Sequence, residues 1–130
     1  LKVFVAEVKT FIAENPQEEL SEFINPLNEA IDDLAKVSTE ILQAAATDPN
    51  ELGSAACDYL HIFGYTAMAY VWVKMAKTSL AAMERDKDFH QAKIETARYF
   101  FKRILPRRIS LMLSATSGAD LLFNLDDELF

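Results

Sequence analysis

The segment from Tyr59 to Ala76, YLHIFGYTAMAYVWVKMA, is apolar on nearly every side of a helix, and this limits where it can lie in a fold. A helix in a small bundle normally keeps one polar face towards water, so a helix without such a face must be covered on several sides. His61 and Lys74 leave fewer apolar residues between them than the roughly 20 that a bilayer requires. We therefore expect no membrane span, and we expect this helix to be covered on more sides than a small domain easily supplies.

Few residues elsewhere in the chain favour turns. The 130 residues include 3 glycines and 4 prolines, and no run alternates apolar and polar residues as a strand would. The sequence predicts a single all-α domain over residues 1–130, an antiparallel up-down bundle of about four long helices with a short C-terminal helix or tail. The predicted helices run from residue 1 to Asn15, from 17 to 48 with a kink or break at Pro26, from Pro49 to about Glu84, from a cap at Asp88 to about Ser117, and from Asn124 onward.

The first residue is Leu1 rather than Met, and helical spacing of apolar residues starts at once with no capping residue in front. We therefore expect the chain to be the C-terminal fragment of a longer one. The opening residues mix acids into an amphipathic pattern, which is not typical of a secretory signal. The single cysteine, Cys57, forms no internal disulfide, so a cytoplasmic location is predicted.

The segment ARYFFKRILPRRI, from Ala97 to Ile109, concentrates basic residues in a chain whose formal net charge is −7. Nucleic-acid binding is not predicted, because these bases scatter around the helix axis and Phe100 and Phe101 are needed in the core. Arg108 falls within the apolar face, so it is either turned out by a kink at Pro106 or paired with a buried acid such as Asp58.

Two further interpretations of this basic segment stay open. In one, it lies beside an acidic second helix whose carboxylates neutralise it, namely Glu29, Asp32, Asp33 and Glu40. In a weaker one, Arg103, Arg107 or Arg108 contacts an external anion, because arginine forks suit phosphate oxygens.

The central helix has two faces of different character. Helical spacing predicts one core face, made of Tyr59, Phe63, Thr66, Tyr70 and Val73. The roughly opposite face carries large amphipathic side chains that are enriched in protein interfaces, and it is predicted to contact another protein surface: His61, Tyr65, Met68 and Trp72. The alternative is that both faces are internal because the helix is central.

Metal and catalytic sites are not predicted. Asp58 and His61 could share a helical face, as in di-iron bundles, but His90 is preceded by Lys87 where a second carboxylate would be needed. Cys57 has no cation in its helical turn to activate its thiol as a nucleophile. The glycines are too few for a phosphate-binding loop. The sequence therefore offers no candidate catalytic, cofactor-binding or metal-ligating residue.

Three segments nevertheless resemble a known family. In order and spacing, the runs DYLHIFGYTAMAYVWVKMA, ARYFFKRILPRRISLM and GADLLFNLDDELF are similar to the extra C-terminal domain of a subgroup of bacterial acyl-CoA dehydrogenases, including the methylmercaptopropionyl-CoA dehydrogenase type. The resemblance covers nearly all of the chain and is strongest from Asp58 onward. It implies that the parent is an FAD enzyme that removes α and β hydrogens from an acyl-CoA thioester.

In that family the catalytic glutamate stands in a Tyr-Glu-Gly-Thr-Asn sequence of the preceding domain, and no such sequence occurs here. The resemblance thus implies a non-catalytic domain that packs on the dehydrogenase body of the same chain or on another subunit of a homo-oligomer. The candidate contacts are the face with Tyr65, Met68 and Trp72 and the apolar tail from Leu121 to Phe130. The alternative is a free-standing helical interaction domain without enzymatic activity.

Overall fold

The computed structural model describes residues 1–124, and these residues form an all-α bundle, as predicted. Four of its helices are long or of intermediate length, and they are followed by shorter helical segments. The helices are α1 (Lys2–Glu14), α2 (Ser21–Ala45), α3 (Asn50–Ala81), α4 (Lys87–Tyr99), α5 (Arg108–Ala115) and α6 (Asp120–Phe123).

Helix α3 is the centre of the bundle. Apolar residues are spread nearly evenly around it, and it packs against α2, α4 and α5. Its core residues include Ile62, Thr66 and Val73, each with no solvent exposure, and the hydroxyl of Thr66 is satisfied by the carbonyl oxygen of Ile62. The helix is central, as one of the two interpretations of its sequence expected, but not all of its sides are internal.

Helix α1 is fastened to α3 through aromatic side chains. The Phe4 and Phe63 rings stack with centroids 5.1 Å apart, and Phe11 meets Tyr70 edge to face at 5.2 Å. The Tyr70 hydroxyl donates a hydrogen bond to Glu7 Oε1 at 3.0 Å. Burial raises the pKa of this hydroxyl, and the bond to Glu7 raises it further, since both favour the protonated phenol.

Helix α2 continues through Pro26, so of the two predicted outcomes, a kink or a break, the break is wrong. Pro26 lacks the amide that would bond the carbonyl of residue 22, but it lies near the start of a helix of 25 residues. The rest of α2 buries a continuous apolar face, and this packing offsets the loss of one hydrogen bond: Phe23, Ile24, Leu27, Ala30, Ile31, Leu34, Val37 and Ile41.

The predicted fourth helix is interrupted. Between α4 and α5 lie a π-helical turn, Phe100–Ile104, and a turn of 3-10 helix, Leu105–Arg107, that contains Pro106. The wider π turn lets two adjacent aromatic side chains pack on different helices. Phe100 lies 6.3 Å from Trp72 of α3, and Phe101 lies 5.5 Å from Phe23 of α2, measured between ring centroids.

Several predicted helix ends need correction. The second helix, predicted over residues 17–48, is Ser21–Ala45. Asp86, and not Asp88, caps α4, because its carboxylate accepts a hydrogen bond from the amide of Phe89 at 3.1 Å. Helix α3 ends at Ala81, three residues before the predicted end. A short C-terminal helix begins at Asp120 rather than at Asn124, and the predicted continuation beyond Asn124 lies outside the described residues.

Candidate docking surfaces

One side of α3 is apolar and uncovered. Leu60, Met68 and Val71 are 70%, 44% and 50% exposed, although residues on the opposite side of the same helix are buried. At about 100° per residue these three side chains and Gly64 form a single line along the helix. We call Leu60, Gly64, Met68 and Val71 the α3 stripe. Single exposed apolar residues are ordinary, but a contiguous line on a central helix indicates a contact surface.

Gly64 lies in the middle of the α3 stripe, and no close contact within the domain requires a glycine at this position. A Cβ atom added there would meet no atom within 4 Å, and the residue has ordinary helical backbone angles. Glycine in a helix interior costs about 1 kcal/mol relative to alanine. Without a Cβ atom, this position leaves room for another backbone to approach the helix; Gly53 of the same helix has equally open surroundings but lies outside the stripe.

The four residues predicted as an interface lie in two different environments. His61 and Met68 are exposed, whereas Tyr65 and Trp72 are half-buried and pack against the core. Trp72 is covered because the π turn places Phe100 beside it. The uncovered face is therefore centred on Leu60, Gly64 and Val71. The unexplained glycine is the sequence signal that could have located it.

A second apolar surface lies near the first residue of the chain. It is an open trough of about 570 Å³ between α1, α2 and the first half of α3, with Leu1, Leu42, Leu52 and Leu60 on its walls. The hydroxyls of Ser38 and Tyr59, 2.9 Å apart, lie at its base. Leu60 belongs to both the trough and the α3 stripe, so the two surfaces are continuous.

The basic segment does not form a cluster aimed at one external anion. Arg108 is buried, and its Nε and Nη2 atoms lie 3.0 and 2.9 Å from Asp33 Oδ2 on α2. The suggested partner Asp58 is therefore wrong, and the pair lies within the domain. Arg103 and Arg107 are exposed. Because the Arg108 guanidinium is paired with Asp33 inside the domain, it is not available to bind a phosphate of coenzyme A.

The acidic second helix neutralises the basic segment at two places. Besides Asp33, Glu22 accepts hydrogen bonds from Arg98 Nε and Nη2 at 2.9 and 2.7 Å. The hydrogen bond from Arg98 holds the pKa of Glu22 below its usual value, although partial burial opposes this shift. Of the other predicted partners, Glu29 Oε2 lies 4.0 Å from Arg108 Nη2, whereas Asp32 pairs with Lys9 and Glu40 lies 3.9 Å from Lys36.

Chemistry-bearing side chains are dispersed over the described part of the chain. No three histidine, cysteine, aspartate or glutamate side chains of residues 1–124 are placed to hold a metal ion. His61 Nδ1 lies 2.9 Å from the carbonyl oxygen of Cys57, and His90 Nδ1 lies 3.3 Å from the Ser79 hydroxyl. Among the same residues, no helix combines the length and apolar character needed to cross a membrane.

The chain matches the model of a known protein family. The family model described as acetyl-CoA dehydrogenase C-terminal like matches residues 4–126, which is nearly the whole chain. No curated protein matches the chain.

Proposed function

The chain belongs to the acetyl-CoA dehydrogenase C-terminal-like family, and we propose that it is the appended, non-catalytic helical domain of an FAD-dependent acyl-CoA dehydrogenase. The parent enzyme performs α,β-dehydrogenation of an acyl-CoA thioester in the cytoplasm. The order of the segments from Asp58 onward supports assignment to the methylmercaptopropionyl-CoA dehydrogenase-like subgroup.

This chain lacks the glycine pattern of a Rossmann-type FAD site. Such sites place closely spaced glycines at the start of a helix, where backbone amides approach the pyrophosphate. Here Gly53 and Gly64 lie inside α3, and Gly118 forms a turn after α5 with a φ of 96°. We therefore assign flavin binding and the proton-abstracting glutamate to the rest of the parent chain and derive no catalytic step from this domain.

The role that we propose is docking on the dehydrogenase body through the α3 stripe. The observation that carries the proposal is Gly64, which costs helix stability, is not required by its neighbours and stands between exposed apolar side chains. A small residue flanked by Leu60 and Met68 allows a partner element to approach the helix backbone, while the flanking side chains bury apolar surface on either side.

The complete enzyme provides the test. We expect Leu60→Glu/Met68→Glu to uncouple the domain, so that its unfolding midpoint in the complete enzyme falls to that of the 130-residue chain. The matched control is Leu113→Glu on α5, where the leucine is 72% exposed and lies outside the stripe. Differential scanning calorimetry of both enzymes, with the same substitutions in the 130-residue chain, measures docking separately from folding.

Two results would overturn the proposal. One is that Leu60→Glu/Met68→Glu and Leu113→Glu lower the unfolding midpoint of the domain equally in the complete enzyme. The other is a gene in which translation starts at Leu1 with no flavoprotein sequence before it, which would establish the free-standing interaction domain instead.

A further inference from the structure

We propose that the acidic C-terminal segment of one copy, residues 120–130, binds a basic aromatic surface on a second copy. We define this surface by four cations and two aromatic rings at the far end of the bundle: Lys74, Lys77, Arg85, Lys93, Phe11 and Phe89. The inference uses the homo-oligomer that the family resemblance implies, and the charged and aromatic residues that define the surface lie outside the α3 stripe.

The four cations are unusual in so acidic a chain. Among the described residues, no carboxylate oxygen lies within 4.0 Å of their side-chain nitrogens. The three lysines lie instead over aromatic rings: Lys74 over Tyr70 at 4.7 Å, Lys77 over Phe11 at 5.7 Å and Lys93 over Phe89 at 5.4 Å. Ring faces hold the ammonium groups in place and leave their N–H donors open to an anionic partner.

Two adjoining cavities lie between these cations. One, of about 370 Å³, has Val71, Phe89 and Lys93 among its lining residues, and the other, of about 520 Å³, has Phe11, Lys77 and Arg85. Lys74 and Thr78 line both, so the cavities form one continuous depression. Phe89 is 53% exposed at its edge. The depression therefore offers apolar area with cations around it, which suits an anionic partner that also carries large apolar side chains.

The C-terminal segment has this composition. Residues 120–130, DLLFNLDDELF, contain four acids and no base. In α6 the three successive side chains of Leu121, Leu122 and Phe123 are 71%, 65% and 64% exposed. This is the longest run of strongly exposed, large apolar side chains in the described part of the chain. It lacks a cover within its own domain and is complementary in charge and polarity to the basic aromatic surface.

The segment of the same copy cannot cover this surface. The amide of Ala119 donates a hydrogen bond to Glu51 Oε1 at 3.0 Å, which fixes the start of α6 beside the first turn of α3. The turn of α6 and the seven residues from Asn124 to Phe130 span about 30 Å at most. Val71, at the near edge of the depression, lies about 30 Å along α3 from Glu51, and Thr78 in its middle lies about 40 Å away. The segment of the same copy therefore reaches no further than the near edge, so the occupant that covers the depression is the segment of a second copy.

A compact phosphate would use little of this depression. Its affinity would come from the cations alone, whereas Phe11, Phe89 and Val71 would gain no apolar contact. A lipid headgroup presents the same difficulty, because the aromatic rings lie among the cations rather than on a projecting edge. The observations thus favour an acidic, apolar protein segment.

A labelled peptide of residues 119–130 and the 130-residue chain provide the direct test. We expect fluorescence anisotropy to show binding that weakens at least tenfold with Lys74→Glu/Lys77→Glu and falls as salt is raised. The matched control is Lys2→Glu/Lys102→Glu, which changes the net charge by the same amount at exposed lysines away from the surface and leaves most of the affinity intact. Equal loss in both variants, or no loss in either, overturns the proposal.

Charge exchange tests the same contact between whole chains. Lys74→Glu/Lys77→Glu and Asp126→Lys/Asp127→Lys are each expected to weaken self-association in analytical ultracentrifugation, and mixing the two variants is expected to restore it. Failure of the mixture to associate overturns the proposal. The proposal is also overturned if the chain binds vesicles of anionic phospholipid, or inorganic phosphate, through Lys74 and Lys77 while the peptide does not bind. Leu60→Glu, which alters the α3 stripe, is expected to leave peptide binding unchanged. Failure of the peptide to bind can therefore be distinguished from failure of the α3 stripe to dock.

Discussion

Arg108 and Asp33 connect the end of the bundle to the middle of α2 through a single carboxylate oxygen. Two nitrogens of the guanidinium group share Asp33 Oδ2, at 2.9 and 3.0 Å, and Nη1 lies 3.4 Å from the carbonyl oxygen of Leu105. The Arg108 side chain is 7% exposed, whereas that of Asp33 is 31% exposed. A nearly buried charge therefore depends on a carboxylate that water also reaches.

Removal of either partner is expected to destabilise the chain. Asp33→Ala leaves the guanidinium buried without its main counter-ion, and we expect a loss of about 3 kcal/mol in the free energy of unfolding. Arg108→Met keeps much of the apolar stem and is expected to lose less, about 1–2 kcal/mol. Urea unfolding followed by circular dichroism measures both, and a double-mutant cycle isolates the pair. Additive losses in the double variant would show that the two residues act independently.

Gly64 and Gly118 are expected to respond in opposite ways to the same substitution. Gly64→Ala meets open space in a helix and should stabilise the 130-residue chain by about 1 kcal/mol. Gly118→Ala places a side chain at a φ of 96° and should destabilise it by about 1 kcal/mol. Thermal unfolding of the two variants distinguishes them, and a destabilising Gly64→Ala would show that the glycine serves the domain's own fold.

The cap of α4 can be checked with two neighbouring aspartates. Asp86→Ala removes the acceptor for the Phe89 amide and is expected to cost about 1 kcal/mol. Asp88 is exposed in the first turn of α4, so Asp88→Ala loses a favourable interaction with the helix dipole and should cost less, about 0.5 kcal/mol. Urea midpoints give the order of the two losses. The reverse order would restore Asp88 as the cap.

The contact between Glu22 and Arg98 predicts a pH dependence with a definite sign. The folded state lowers the pKa of Glu22 below 4.5, so the stabilisation is present above that pH and disappears as pH falls through the folded value. Both side chains are about 40% exposed, so the contribution is small, about 0.5 kcal/mol. Arg98→Ala should reduce the loss of stability between pH 6 and pH 3, whereas Arg103→Ala, at an exposed position, should not. An equal dependence of the free energy of unfolding on pH in the wild type and in Arg98→Ala would contradict this prediction.

The helical class and the central place of α3 could be predicted from the sequence because they depend on the spacing of apolar residues within each segment. Val73 and Thr66 face the core where the helical period puts them. Which side of α3 remains uncovered could not be predicted in the same way. That outcome depends on Phe100, a residue of another helical segment, which lies against Trp72.

The partner of Arg108 shows the same limit. Its position within an apolar face is visible from spacing along one helix, but the choice between Asp58 and Asp33 depends on which helix packs alongside. The cap at Asp86 could not be predicted for a different reason. Two acids stand near the start of α4. The backbone conformation at residue 86, with φ −155°, determines which carboxylate can accept a hydrogen bond from the free amides of the first turn.

The π turn at Phe100–Ile104 has a consequence for how relatives of this chain should be aligned. Such a turn accommodates one more residue than an α-helix over the same length, so it is a place where chain length can change by one. We expect homologous domains to show single-residue gaps between α4 and α5 while retaining the arginine and the aspartate that meet across the bundle. An alignment forced through this point without a gap would misplace every residue of α5 by about a quarter of a turn.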